Sequence, residues 1–247
     1  MEPISEFKKN GYVLLKDYLK ENINLLESIT KKFVELPDAK NKYMKYYETI
    51  DTKKVLSRME YLIDFDEQLN KLENDVIKPI ASYYLDSDVN LFKEKINFKL
   101  PGGGAFKPHQ DFPAWNDFSP TEYVTIGIPL DNMTRENGCL NMATTIGRNK
   151  QIYHNEENND IPDNYLNTWK WDELICNIGD VIVFDSFIPH YSKKNNNNKN
   201  RRIYYFTYNK SKEGNLRISY YNKKREVFPQ DVDKIEGKDY SKLGAKY

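Results

Sequence analysis

What this sequence lacks is an excess of either charge. Lysine and arginine together number 37, aspartate and glutamate also number 37, and the formal net charge at pH 7 is zero over 247 residues. Such a chain projects no global basic field, so bulk electrostatic recruitment of nucleic acid is excluded. No stretch approaches the roughly 18 apolar residues of a membrane span, and the start, Met1-Glu2-Pro3-Ile4-Ser5, has no basic segment leading into a long apolar run. A protein without signal peptide or membrane span, in the cytoplasm, is therefore expected. Cysteine is scarce: Cys139 and Cys176 have no CxxC spacing, and read as reduced, buried thiols rather than a disulfide framework. No GxGxxG opens a helix either, so Gly102-Gly103-Gly104 reads as a flexible turn that lets the backbone approach a site, not as a dinucleotide fingerprint.

Aromatic residues, by contrast, are plentiful: 19 Tyr and 12 Phe, which suit strands and a large core. The low mean hydropathy, -0.80, reflects a surface crowded with Lys, Asn and Glu. The length fits one domain with its own core. Residues 1–90 are expected to be a mostly helical flank, with a short strand at Tyr12–Leu15. Ile23, Leu26, Ile29 and Phe33 form one helical stripe that stops near Pro37. Leu69, Leu72, Val76, Ile77 and Ile80 form a second between about Asp66 and Leu85, with Pro79 placed to kink it.

After about residue 90 the period falls to two. Lys95–Leu100, Tyr123–Leu130, Leu140–Ala143, Leu174–Ile178, Val181–Phe184 and Arg202–Tyr208 read as strands, punctuated by turns at Pro101-Gly102, Asn137-Gly138 and Gly179-Asp180. Strands without long intervening helices favour an antiparallel sandwich or barrel over 91–210, followed by a C-terminal extension over 211–247. Residues 145–173 read as a polar insert and Asn195–Asn198 as a polar loop tip.

Only three histidines occur, His109, His154 and His190. His109-Gln110-Asp111 follows the glycine turn, and in a strand-like segment residues two apart project to one face. His190 lies beyond the apolar strand Val181–Phe184. Two imidazoles and one carboxylate make the facial triad of non-haem iron(II) oxygenases, with positions left open for substrate and oxygen. His154 reads as a surface residue. Eleven positions after His190 comes Arg201, whose guanidinium fork matches the distal carboxylate of a chelating 2-oxo acid. Ser192 would add a hydroxyl to that carboxylate, and Arg202 is the alternative anchor.

Taken in order, Phe7-Lys8-Lys9-Asn10-Gly11-Tyr12-Val13, Pro108-His109-Gln110-Asp111, Asn137-Gly138-Cys139-Leu140, Gly179-Asp180 and His190-Tyr191-Ser192 with Arg201-Arg202 resemble the phytanoyl-CoA dioxygenase family of iron/2-oxoglutarate oxygenases. The resemblance covers nearly the whole chain. It implies a double-stranded β-helix, or jelly-roll, with N-terminal helices. It also implies Fe(II), 2-oxoglutarate and O2 as cofactor and cosubstrates, with hydroxylation coupled to release of succinate and CO2. His109, Asp111 and His190 then look like the iron ligands, Arg201 with Ser192 like the cosubstrate anchor, and Asn97 and Lys95 like further cosubstrate contacts. The carboxylate of Asp111 implies hydroxylation rather than halogenation. Many members carry Gly-Ser-His where this chain reads Thr144-Thr145-Ile146-Gly147-Arg148-Asn149, so inherited substrate contacts do not carry over there.

The run from Arg202 through Arg225 resembles a subgroup that includes 2-aminoethylphosphonate dioxygenases, which implies a small polar substrate such as a phosphonate. Lys107, Gln110 and Arg217 are its expected donors, with Trp115 nearby, while Arg217, Tyr220 and Tyr221 packing a terminal helix is the plainer reading. A long acyl-CoA substrate is disfavoured because no large apolar surface is evident. A metal-binding jelly-roll with a regulatory or binding role, and a metal-dependent isomerase, are the other classes. The oligomeric state is not fixed by the sequence.

Overall fold

The computed structural model describes residues 4–144, 151–152, 161–162 and 166–240; His154 and Thr145 through Asn149 lie outside the described residues. Its strands are β1 (Tyr12–Leu15), β2 (Met44–Ile50), β3 (Lys53–Glu60), β4 (Val89–Lys99), β5 (Phe106–His109), β6 (Val124–Pro129), β7 (Leu140–Ala143), β8 (Trp171–Leu174), β9 (Val181–Asp185), β10 (His190–Ser192) and β11 (Arg201–Lys210). The helices are α1 (Ile4–Asn10), α2 (Ile23–Glu35), α3 (Glu67–Leu72), α4 (Lys78–Leu85) and α5 (Arg217–Val227). The strands form two antiparallel sheets, a larger one in the order β1-β9-β6-β11-β4-β3-β2 and a smaller one in the order β5-β10-β7-β8. This is the antiparallel two-sheet arrangement that the alternating patterns predict, and the double-stranded β-helix that the family resemblance implies.

The period-two alternation of β11 divides the protein into layers. Tyr204, Phe206 and Tyr208 point outward and join Leu26, Ile29, Phe33, Leu69 and Ile80 of the helices in the main core. Ile203 and Tyr205 point inward and join Leu140, Met142, Ile182 and Phe184 between the sheets. On β4 the same division puts Ile96 and Phe98 in the outer, helix-covered core, so Lys93, Lys95, Asn97 and Lys99 line the inner side. The polar face of this strand, which would ordinarily meet solvent, faces the space between the sheets.

Three expectations need correction. Residues 1–90 are not simply helical, because they also contain the β2–β3 hairpin, which extends the larger sheet beyond β4. Its turn, Asp51-Thr52, has both residues at positive φ (45° and 72°), the mirror-image turn that matches strand twist, but without the glycine that would announce it. The strand expected at Leu174–Ile178 is instead Trp171–Leu174. Beyond it Cys176 makes one isolated bridge to Met133, while Ile175 and Ile178 are exposed. Pro79 does not bend α4. It sits in the first turn, where its missing N–H is tolerated, and the irregularity lies just before it, in a π-turn over Glu73–Ile77.

The loop at Asn195 and the glycine turn are one structure. Asn195 is fully buried and donates Nδ2 to the carbonyls of Lys99 and Lys199, while the Gly102 N–H bonds its own carbonyl. The glycine turn therefore ties down a neighbouring loop instead of approaching the site. Gly138 is required sterically: φ is +76°, and a Cβ there would lie 2.2 Å from the Lys193 carbonyl oxygen.

The C-terminal extension is fastened by buried charge. Lys224 of α5 donates to both carboxylate oxygens of Glu60, at 2.6 and 2.7 Å. Burial opposes the charge on Glu60, yet Lys224, aided by Arg58, Lys93 and Lys95, holds its carboxyl down to about 2. Removing one partner strands the other charge, so Lys224→Met should cost about 3–5 kcal/mol in urea denaturation, whereas Glu60→Gln/Lys224→Met together should recover most of that loss. The folded pKa of Glu60 is depressed, so its stabilisation is complete above the ordinary value of 4.5 and fades as the pH falls towards 2. Acid titration of wild-type and double-variant stability checks this; parallel curves would count against it.

Candidate metal centre and cosubstrate cavity

His109 closes β5 and His190 opens β10, and strand pairing places the two directly opposite each other. Their ring centroids are 4.4 Å apart. Each Nδ1 rests on the carbonyl oxygen two residues earlier, Lys107 O at 2.7 Å for His109 and Ile188 O at 2.9 Å for His190. Donation of Nδ1–H to a carbonyl fixes the tautomer and leaves each Nε2 lone pair free for a metal. Burial, together with the neighbouring His190, pushes His109 down to about 4, so its imidazole is neutral at pH 7.

Asp111 arrives by a different route from the one its spacing suggests. The strand stops at His109, and Asp111 has helical torsions (φ −73°, ψ −38°) at the head of the 3-10 turn Phe112–Trp115. The bend is pinned by Phe112 N–H on the Ser186 carbonyl at 3.0 Å. It brings Asp111 Oδ1 to 3.7 Å from His109 Nε2. Burial opposes the charge on Asp111, but His190, Lys93, His109 and Lys95 outweigh it and hold the carboxyl below its usual range. Ligand atoms of His109, Asp111 and His190 all lie within 4.8 Å of one another. Two imidazoles and a carboxylate on one side of a cavity fit a divalent iron with open positions.

The cavity between the sheets is lined by this triad with Lys93, Lys95, Asn97, Ser192 and Arg201. Arg201 is 1% exposed, and its Nε and Nη1 have no hydrogen-bond partner. A buried guanidinium with unused donors aimed at a cavity is a receptor for an anion, and a carboxylate matches its fork. Arg202, one residue on, points to the opposite face, where it binds Asp131 and Glu27 with every guanidinium nitrogen. Arg202 therefore faces away from the cavity with its charge already paired. Ser192 lines the cavity and accepts a bond from Lys99 Nζ at 2.7 Å.

The three expected substrate donors do not reach the cavity. The Lys107 side chain is exposed, and its contribution to the centre is the carbonyl that orients His109. Gln110 is buried but turned away, its Nε2 donating to the Phe187 carbonyl and its Oε1 accepting the Ile152 N–H at 2.8 Å. Arg217 is bound to Glu94 and Asp64 and stacks on Tyr61, so it packs α5. Two residues apart on a short turn or a distant helix cannot be aimed from sequence.

Lys93, unnoticed in the sequence, takes their place. It lies two positions before Lys95 on the inner face of β4, and strand alternation was the signal available. Neither ammonium has a hydrogen-bond partner among the described residues; Lys93 Nζ sits 4.5 Å from the Trp115 ring centroid and Lys95 Nζ 5.3 Å from that of Tyr205. Burial lowers both, with Lys93 and Arg58 also repelling Lys95, which falls to about 7. Thr125 and Thr207, bonded to each other at 2.9 Å, and Tyr205 complete this end of the cavity.

Alanine at His109, Asp111 or His190 would remove one of three candidate metal ligands. Each variant should fold with wild-type circular dichroism yet bind Fe(II) at least about a hundredfold more weakly in anaerobic titration, since losing even an outer-shell partner of a ligand costs about 10–100-fold. Wild-type iron affinity in any of the three would remove that residue from the centre.

Comparison with known proteins agrees with this geometry. The sequence pattern of the family described as Phytanoyl-CoA dioxygenase (PhyH) matches residues 7–203. Across 250 aligned residues, 100% of this chain and 95% of the relative, the sequence is 36% identical to the 2-aminoethylphosphonate dioxygenase of uncultured bacterium HF130_AEPn_1. It is 32% identical to the methylphosphonate hydroxylase of Gimesia maris (strain ATCC 29201 / DSM 8797 / 534-30), covering 98% of this chain and 93% of that one. The fold is shared with EctD from S. alaskensis, whose structure holds 2-oxoglutarate and 5-hydroxyectoine. There the TM-score is 0.70 at 17% identity, over 85% of this chain and 76% of that one. The chain therefore belongs to the phytanoyl-CoA dioxygenase family and is an iron(II)- and 2-oxoglutarate-dependent dioxygenase.

Proposed function

We propose that this enzyme hydroxylates a small organic phosphonate at a carbon held beside the metal. The observation that carries this reading is the pair of lysines facing the cavity next to the triad, Lys93 buried and Lys95 half-buried, neither engaged in an ion pair among the described residues. Among the described lining residues, Lys93, Lys95 and Arg201 stand against a single carboxylate, Asp111, which a metal would occupy. Buried charges without partners are costly, several kcal/mol each even after relaxation, so the free cavity favours anions strongly. Arg201 would receive one anion and the lysine pair another. The names of the two relatives, both phosphonate oxygenases, support the same substrate class.

His109, Asp111 and His190 would hold the iron, and Arg201 the distal carboxylate of 2-oxoglutarate. Bound iron and 2-oxoglutarate supply the oxidation, in which O2 is consumed, 2-oxoglutarate leaves as succinate and CO2, and one oxygen atom enters a C–H bond of the substrate. The protein's part is binding, orientation and exclusion of water. Pairing of β4 with β11 puts Arg201 opposite Lys99, Ile203 opposite Asn97, Tyr205 opposite Lys95, and Thr207 opposite Lys93. Successive inner positions are thus about 7 Å apart along the strand. Asn97 lines the cavity next to the Arg201 end, and its Nδ2 would donate to the cosubstrate. Lys95 lies one inner position further on, where its charge and that of Lys93 both act on Asp111. This makes Lys95 a substrate contact in our reading rather than a cosubstrate one. The Trp115 and Tyr220 rings against Lys93 limit its swing and keep it aimed.

The test is purified iron-loaded enzyme with 2-oxoglutarate against phosphonates, amino acids, polyamines and acyl-CoA thioesters, followed by succinate release and mass gain of one oxygen. A phosphonate should be turned over. Hydroxylation of an acyl-CoA alone would overturn the substrate class, and no substrate-stimulated succinate from any class would favour a metal-binding protein without turnover. Lys93→Met and Lys95→Met should each raise the phosphonate KM with little change in the 2-oxoglutarate KM. Arg201→Ala should raise the 2-oxoglutarate KM instead. Loss of a desolvated charge pair costs about 2–5 kcal/mol, roughly thirty- to several-thousand-fold. Arg202→Ala should lower stability without altering either KM.

A further inference from the structure

We infer that Lys99 is a positioning residue for 2-oxoglutarate: its ammonium orients the Ser192 hydroxyl so that the O–H, beside the Arg201 fork, is donated to the distal carboxylate. This inference rests on the reading of Arg201 as the carboxylate anchor. Lys99 and Arg201 are direct partners across the β4–β11 ladder, and both are almost fully buried, at 3% and 1% exposure. Lys99 Nζ donates to Ser192 Oγ at 2.7 Å and to the Lys193 carbonyl at 2.6 Å. A serine hydroxyl has one proton and two lone pairs. With one lone pair taken by an ammonium, which can only donate, the hydroxyl proton must turn to another acceptor. Ser192 is itself 1% exposed and lines the cavity that Arg201 faces. An anion on the unpartnered Nε and Nη1 of Arg201 would be that acceptor.

The charges around Lys99 need such an anion. Arg201 on β11 repels it, Glu48 on β2 attracts it more weakly, and Cys139 just before β7 is the remaining titratable neighbour. Burial and Arg201 together bring Lys99 down to about 7. Two adjacent buried cations are stabilised by one carboxylate between them, so binding of the cosubstrate and protonation of Lys99 favour each other. The sign follows: Lys99 donates fully below about pH 7 and progressively less above it, so 2-oxoglutarate affinity should fall as pH rises through that value. The Phe106 ring, with its centroid 5.2 Å from Nζ, closes the solvent side.

The decisive measurement is the calorimetric Kd of 2-oxoglutarate with anaerobic, iron(II)-loaded enzyme for wild type, Lys99→Met, Ser192→Ala, the double variant and Arg201→Ala. Lys99→Met and Ser192→Ala should each weaken binding about tenfold, the range for a hydrogen bond to a charged group. The double variant should be little worse than either, because the two act as one unit. Iron affinity should remain wild type, and the alkaline loss of affinity near pH 7 should flatten in Lys99→Met. Lys95, which titrates in the same range, is common to both proteins and drops out of that difference. If Lys99→Met does not fold, Lys99→Gln keeps a donor for the Lys193 carbonyl while removing the charge. Additive effects, or an unchanged Kd in the Lys99 variant, would overturn the inference while leaving Arg201 standing. An unchanged Kd in Arg201→Ala would overturn both.

Discussion

Antiparallel pairing of β4 with β11 runs from Arg201 opposite Lys99 to Lys210 opposite Val89, with one register shift between Thr207 and Tyr208. Because side chains alternate across a strand, this one ladder decides what faces the helices and what faces the cavity. Outward go Ile96, Phe98, Tyr204, Phe206 and Tyr208, which share a dry core with α2, α3 and α4. Inward go Asn97 and the cations Lys93, Lys95 and Arg201 that give the cavity its charge. A slip of one residue would place aromatic rings in the cavity and lysines under the helices, so register and chemistry are fixed by the same hydrogen bonds.

The positive interior needs support from behind. Glu60 and Glu94 are both fully buried. Glu94 accepts the N–H groups of Leu62 and Ile63 and the Arg217 guanidinium, while Glu60 is held by Lys224. Glu60 is the strand partner of Lys95, so its carboxylate stands next to the lysine pair without occupying the cavity. The arrangement keeps the two halves of the electrostatic problem apart. Paired carboxylates lie outside the cavity and unpaired cations lie inside it, available to anionic ligands. The C-terminal helix therefore contributes to the site through Lys224 and Arg217, which hold these carboxylates, and not by direct contact.

The candidate metal centre uses a second strand pair. His109 and His190 meet across β5 and β10, and the carbonyls of Lys107 and Ile188 set both tautomers. Asp111 joins them only because the chain bends after His109, anchored by the Ser186 carbonyl and by Gln110 bridging Phe187 and Ile152. The segment His109-Gln110-Asp111 is thus two candidate ligands facing the cavity around one clamp turned away from it, and Gln110 does structural work at a position that looked like a substrate contact.

Read alone, the sequence carried the antiparallel sandwich-or-barrel class, most strand positions after residue 90, and the candidate set His109, Asp111, His190 and Arg201, while the jelly-roll followed from the family resemblance. Those features are written locally, as period-two alternation and as a spaced set of metal and carboxylate binding residues with few competitors: only three histidines exist to choose from. The tertiary structure alone decided what depends on aim. Lys93 entered the cavity and Lys107, Gln110 and Arg217 left it, Arg201 was separated from Arg202, and the β2–β3 hairpin emerged from a segment whose turn carries no glycine. The physical reason is that a side chain's direction follows from strand register, a one-residue bend or a distant salt bridge. None of these is carried by residue type, because a lysine that binds a ligand and a lysine that faces solvent are written with the same letter.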